Sequence, residues 1–261
     1  MRQQPHLEPV EDLKIQCDGR VVTVTLGRPP HNYFDEDLIA KLATAFEHFD
    51  EDPECRALVL AAEGKSFCAG ADFIDASTRD PMTPARIYAH AVRLFRTRKP
   101  VVAAIHGPAI GGGLGLALVA DFRVTSEDAR FSANFTRLGI HPGFGLSVTL
   151  ERVVGPQQAA RLLYTGRRIS GAEAVDIGLA DLLVPTGEVL AAAIALAHEI
   201  AASAPLALMS TRATLRADLA KQVTEAVAHE AAEQRWQVQT SDFAEGVAAT
   251  AARRPAIFTG K

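Results

Sequence analysis

The chain has few cysteines, and the three present, Cys17, Cys55 and Cys68, show no paired spacing. That excludes a disulfide framework and a zinc motif, and it suits a reducing, cytoplasmic setting. No charge of one sign dominates. The net charge of −4 gives no reason to expect a nucleic acid or an anionic membrane as partner. Long hydrophobic runs are missing too. The longest, Ala109 to Ala120, is too short and too rich in glycine to span a bilayer. Met1 to Val10 holds no apolar run and does not read as a secretory signal. No G-x-x-x-x-G-K-[ST] phosphate loop occurs, and no G-x-G-x-x-G follows a strand in a dinucleotide-binding context. No clustered His, Cys, Asp or Glu set suggests a metal. No Gly/Ser-rich linker divides the chain.

What is present is an apolar content of 48% over 261 residues, enough for a good core in one domain or in a domain with an appendage. Two glycine-rich turns follow two apolar strands. Ala57-Leu58-Val59-Leu60-Ala61 leads to Ser66-Phe67-Cys68-Ala69-Gly70-Ala71-Asp72, and Val101-Val102-Ala103-Ala104-Ile105 leads to His106-Gly107-Pro108-Ala109-Ile110-Gly111-Gly112-Gly113. Small residues there let the backbone approach a ligand and leave N–H groups free to point at it. The second turn runs into a buried helix whose first amides and positive dipole end would face an anion. Two amide donors converging from separate loops make an oxyanion hole; the alternative is two tight turns that bind nothing.

Along the first part, strands and helices alternate. Val21 to Leu26 reads as a strand, and Asp35 to Phe49 as an amphipathic helix. After the Ala57 strand come a variable stretch over 73–84, a helix over 84–97, the Val101 strand and the Gly112 helix. Phe122 to Thr125 and Asp181 to Val184 read as short strands. Alternation of this kind argues an α/β fold. From Gly187 the composition turns to alanine-rich helix, with patterns over 189–202, 205–219, 224–239 and 242–252. We therefore expect a core over residues 1–186 and a helical region over residues 187–261.

The two turns resemble the crotonase, or enoyl-CoA hydratase/isomerase, superfamily, in which an F-C-A-G-A-D loop and a G-G-G helix start hold an acyl-CoA thioester oxygen. The likeness extends over residues 10–261. Gly27-Arg28-Pro29-Pro30-His31-Asn32 is similar to the family's first strand exit, and Lys99 to Gly107 to its K-P-V-I-A-A-V-N-G strand. Leu163 to Ala174 is similar to its L-T-G-x-x-I-x-A-x-E-A segment; Asp242 to Gly246 and Arg253 to Phe258 resemble its C-terminal end. The resemblance implies a spiral of repeated ββα units with a C-terminal helical trimerisation region, a homotrimer or dimer of trimers, and a place in acyl-CoA or fatty acid metabolism. It implies coenzyme A as part of the substrate and no separate cofactor. Ala71 and Gly112 would supply the oxyanion-hole amides.

The acid/base positions depart from the pattern. The two glutamates of hydratases fall on Gly115 and Phe135, and a third acidic position used by other members falls on Gly143. General acid–base groups contribute about 10²–10⁴-fold each, so two-glutamate hydration is not expected. His141, on the loop of the third position, and Asp75, in the variable stretch, are the candidate substitutes. Against this, His141 would merely cap the His-Pro-Gly turn. Tyr88 takes the place of a histidine that dehalogenase-type relatives use, and it reads as a packing or hydrogen-bonding residue. For coenzyme A, the resemblance points to Ala69 and Asp72 in the first loop, to Arg28 and Lys65 beside it, and to Arg254 at the C-terminal end. Each of these charges is equally a solvated surface group, and Asp72 equally a helix cap.

Overall fold

The computed structural model describes residues 10–72 and 80–261. Its chain order is β1 (Leu13–Asp18), β2 (Val21–Leu26), α1 (Glu36–Glu51), β3 (Ala57–Ala62), α2 (Thr83–Phe95), β4 (Val101–Ile105), β5 (Ala109–Ile110), α3 (Gly112–Ala117), β6 (Phe122–Thr125) and β7 (Arg130–Ser132). There follow a 3₁₀ turn (Asn134–Leu138), α4 (Leu146–Thr165), β8 (Ile169–Ser170), α5 (Gly171–Asp176), β9 (Leu182–Leu183), α6 (Val189–Ala201), α7 (Pro205–Leu215), α8 (Leu219–Gln237) and α9 (Ser241–Ala251).

Six strands form one sheet in the order β1-β2-β3-β4-β6-β9, antiparallel at β1·β2 and parallel beyond. The central strands A-L-V-L-A-A and V-V-A-A-I are apolar throughout because both faces are covered. Leu58 and Leu60 point into the larger core with α1 and α2, whereas Val59 and Ala61 point to α6. On α6 the contacts are Val189, Ala193, Ala197 and Ala201, each four residues from the last. This stripe lies on small strand residues and lets the helix sit close. Helix α8 packs instead on α2, and its Leu219, Val223, Val227 and Ala231 belong to the larger core. Asp35 caps α1 by accepting a hydrogen bond from the Leu38 amide at 2.8 Å.

A second, three-stranded sheet, β5-β7-β8, carries the second glycine turn. Three of the differences from the sequence expectation have a clear physical reason. Strand β1 alternates buried and exposed residues over Leu13, Ile15 and Cys17, a pattern present but not read. Helix α4 was not expected at all. It is broken by Gly155 at φ 75° followed by Pro156, so no single apolar stripe runs its length. Helix α7 stops at Leu215 rather than Leu219, because Asp218 takes a left-handed φ of 63° and opens α8. Among the described residues, no single helix is long and apolar enough to cross a membrane.

Candidate active site

The first glycine turn is templated by Asn32. Its buried side-chain amide donates to the carbonyls of Glu63 (2.6 Å) and Ser66 (2.8 Å), and its oxygen accepts from the Arg28 amide at 3.0 Å. The turn is then joined to the second one. The Cys68 amide donates to the Pro108 carbonyl at 3.1 Å, and the Ile110 amide donates to the Cys68 carbonyl at 3.0 Å. The Cys68 thiol is buried at this seam and donates to the Asn32 carbonyl at 3.1 Å. Burial pushes its pKa up to about 12, so it serves as packing and not as a nucleophile.

The seam leaves no room for side chains. Gly70 has a left-handed φ of 85°, and a Cβ there would sit 2.8 Å from the Ile110 carbonyl oxygen. A Cβ on Gly113 would sit 2.0 Å from the Cys68 carbonyl oxygen. Beyond the seam the two turns open onto one cavity of about 310 Å³, whose lining includes Ala69, Gly70, Ala71, Asp72, Gly111 and Gly112. The first bonds of α3 run from the amides of Leu114 and Gly115 to the Gly111 carbonyl, which leaves the Gly112 amide outside the helix ladder. Among the described residues neither the Ala71 nor the Gly112 amide has a hydrogen-bond acceptor.

The rest of the lining is of another kind and includes bulky side chains. Among them are Ile87 and Tyr88 from α2, Phe135 and Leu138 from the 3₁₀ turn, and Gln234 from α8. The three expected acid/base positions are filled by their neighbours. Gly115 is buried away from the cavity, and a Cβ there would lie 2.6 Å from that of Phe144. Phe135 is itself part of the cavity wall. At Gly143 a Cβ would lie 1.8 Å from the Tyr88 hydroxyl and 2.7 Å from Gln234 Nε2. The Tyr88 hydroxyl donates to Gln234 Oε1 at 2.9 Å, and Gln234 Nε2 donates to the His141 carbonyl at 2.7 Å. Burial holds the Tyr88 phenol far above its ordinary value, so it stays protonated.

Behind this wall Glu230 is fully buried and ties down the 145–147 turn. It accepts from the amides of Gly145 (2.8 Å) and Ser147 (3.1 Å) and from the Ser147 hydroxyl (2.6 Å). Burial raises its pKa. Near the first turn, Tyr33 also lines the cavity. Burial first, and the Asp72 charge second, raise its phenol.

Of the residues singled out in the sequence, the structure brings Ala69, Ala71, Asp72 and Gly112 together on the cavity. His141 is not brought there. Its Nδ1 lies 2.8 Å from the Pro142 carbonyl oxygen, and its ring stacks edge-on against His229 at 5.4 Å. Asp75 lies outside the described residues. Arg28, Lys65 and Arg254 are not part of the cavity lining. Arg28 is engaged by Asp12 and Asp35, each at 2.8 Å, and by Asp37 at 3.4 Å. Arg254 pairs with Glu245 at 2.5 Å, and Lys65 is exposed. Sequence reasoning missed Tyr33, Gln234 and Arg168. The first two carry no local signal. Arg168 falls in an unfixed slot of the L-T-G-x-x-I segment, where a charged residue could have been noticed.

The enoyl-CoA hydratase/isomerase family model matches residues 16–261. The chain belongs to that family. A relative from Rhizobium meliloti named "Probable enoyl-CoA hydratase" is 36% identical over 258 residues, covering 95% of this chain and 98% of the relative. Among solved structures, an enoyl-CoA hydratase/isomerase from Pseudoalteromonas atlantica superposes with a TM-score of 0.86 at 29% identity, covering 95% of this chain and 100% of that one. An enoyl-CoA hydratase from Mycobacterium avium subsp. paratuberculosis gives 0.84 at 28%, covering 96% and 100%. The spiral α/β architecture is thus the crotonase fold, and the family is one of acyl-CoA proteins.

Proposed function

We propose that this family member binds an acyl-CoA with its thioester oxygen between the amides of Ala71 and Gly112, and that it stabilises an enolate-like state without a carboxylate base at the three usual positions. The observation that carries the reading is a contrast on one cavity: two amides with no acceptor among the described residues, and Phe135, Tyr88 and Gln234 where acids are expected or beside those positions. An amide pair of this type contributes about 3–4 kcal/mol to an oxyanion. Hydration of a double bond also needs a proton taken from water and one delivered to carbon, and neither phenylalanine nor glycine can do this. The Tyr88 phenol, held protonated by burial, does not act as a base.

The reaction class that this arrangement fits is cleavage of a C–C bond next to the thioester, as in decarboxylation. The carboxylate leaves as CO₂, and the bond pair passes into the enolate held by the two amides. A solvent proton then adds to the α-carbon. A non-catalytic acyl-CoA-binding role is the second reading, favoured by the same filled wall. The family resemblance makes a homotrimer or dimer of trimers our expectation for the assembly, read by light scattering after size exclusion.

Mass spectrometry of the protein with a panel of acyl-CoA thioesters tests the function. We expect crotonyl-CoA to remain unhydrated while a thioester carrying a β-carboxylate loses CO₂. Binding of thioesters without turnover of any supports the second reading. Crotonyl-CoA hydration at a typical enzymatic turnover of about 10 s⁻¹ overturns both.

A further inference from the structure

Two adjacent arginines at the start of β8 are used differently. Arg167 is locked in a bidentate pair with Glu173, at 2.6 and 3.0 Å. Arg168 lines the cavity, is exposed, and makes no hydrogen bond or ion pair among the described residues. The small sheet fixes where it stands. Strand β8 pairs antiparallel with β7, Ser170 opposite Arg130 and Ile169 opposite Phe131, so the next step of that register sets Arg168 across from Ser132. On its other side Ser132 pairs with Ile110, and its carbonyl accepts the Gly111 amide at 2.8 Å. Arg168 therefore stands two strands from the turn that carries the Gly112 amide, a backbone separation of about 10 Å. The long arginine stem spans part of that gap. The same cavity is lined by Phe135, Leu138 and Val247 and by the neutral polar residues Asn134 and Thr250.

Among the described residues, Arg168 is the one basic residue on a cavity whose single acidic lining residue, Asp72, belongs to the first turn. A guanidinium with no partner among those residues calls for an anion from the ligand, and its planar fork suits a carboxylate or a phosphate. We propose that Arg168 recognises a carboxylate at the far end of the acyl group, so that the substrate class is the CoA thioester of a short acid that carries a terminal carboxylate besides the β-carboxylate that leaves. This rests on the function proposed above, because the acyl group is oriented by the amide pair. The carboxylate at Arg168 is a recognition element separate from any group that leaves. An ion pair holding the leaving carboxylate would stabilise the ground state and slow its loss.

The shared chemistry, an oxyanion, has a second source in the phosphates of coenzyme A, and the test separates the two. Calorimetry with glutaryl-CoA and pentanoyl-CoA compares chains of equal carbon number with and without the terminal carboxylate. We expect glutaryl-CoA to bind about 10-fold more tightly, as for a charge-assisted pair partly screened by solvent, with the gap narrowing in high salt. Arg168→Gln should remove the gap and leave both pentanoyl-CoA affinity and the melting temperature unchanged. A glutaryl-pantetheine thioester, which lacks the nucleotide, should keep its preference over pentanoyl-pantetheine. The proposal is overturned by equal binding of the two chains to the native protein, or by a gap that persists in Arg168→Gln. It is also overturned by equal weakening of both CoA thioesters in the variant, which would assign Arg168 to a phosphate. Preference of either thioester over free CoA reports on the amide pair, so failure of that reading shows separately from failure at Arg168.

Discussion

The two walls of the cavity obey opposite rules. On the turn side the backbone lines the cavity: Gly70 and Gly113 admit no Cβ, and the amides of Ala71 and Gly112 have no acceptor among the described residues. The remaining wall presents large side chains: Phe135, Tyr88 and Gln234, with Phe144 packed at Gly115. Glycine occurs on both sides and has opposite meanings. At Gly113 it lets two loops touch. At Gly143 it makes room for a tyrosine reaching in from a helix 55 positions earlier. The comparison teaches that one cavity can present backbone amides in one part of its lining and packed side chains in another.

The sharpest way to break the contrast is Gly113→Ala. Its new Cβ meets the Cys68 carbonyl oxygen at 2.0 Å, a backbone atom with no rotamer to move to. We expect a loss of about 3 kcal/mol, seen as a fall of roughly 6–12 °C in melting temperature, together with loss of any preference for thioesters over free CoA. On the remaining wall, Gly143→Ala drives into the Tyr88 hydroxyl. The obstacle here is the end of a side chain, so the expected cost is about 2 kcal/mol. Adding Tyr88→Ala should recover part of it, a coupling of about 0.5–3 kcal/mol in a thermal or denaturant double-mutant cycle. Strict additivity would show that Tyr88 does not fill the Gly143 space.

The smallest effect is expected at His141. Its ring packs on His229 outside the cavity, while its backbone holds Gln234 and Gln237. His141→Ala should cost under about 1 kcal/mol and leave turnover of the true substrate unchanged. A kcat loss of about 10²-fold or more with an unaltered melting temperature would return His141 to the mechanism.

These cases mark what could be read from the sequence. The apolar runs of β3 and β4, the amphipathic α1 and the two glycine turns are local patterns, and each element lies where its residues put it. The C-terminal helices were legible for the same reason, apart from the boundary at Asp218. Helix α4 was not, because the Gly155-Pro156 break scrambles its periodicity. The remaining wall was half legible. Gly115, Phe135 and Gly143 can be read in the sequence as positions where the resemblance would put acids. What replaces them comes from Tyr88 and Gln234, 146 positions apart. No spacing rule links residues at that separation. The same holds for Arg28, whose charge looked available in sequence and is spent on three aspartates in the fold.

The most direct test of the account is the vibrational spectrum of the thioester carbonyl in a bound, isotope-labelled acyl-CoA. If the amides of Ala71 and Gly112 grip that oxygen, the C=O stretch must move to lower frequency on binding. The shift must persist in Tyr88→Phe, which removes only the hydroxyl bonded to Gln234, and vanish in Gly113→Ala, which parts the loops. A carbonyl frequency in the bound state equal to that of the free thioester would contradict the account at its centre.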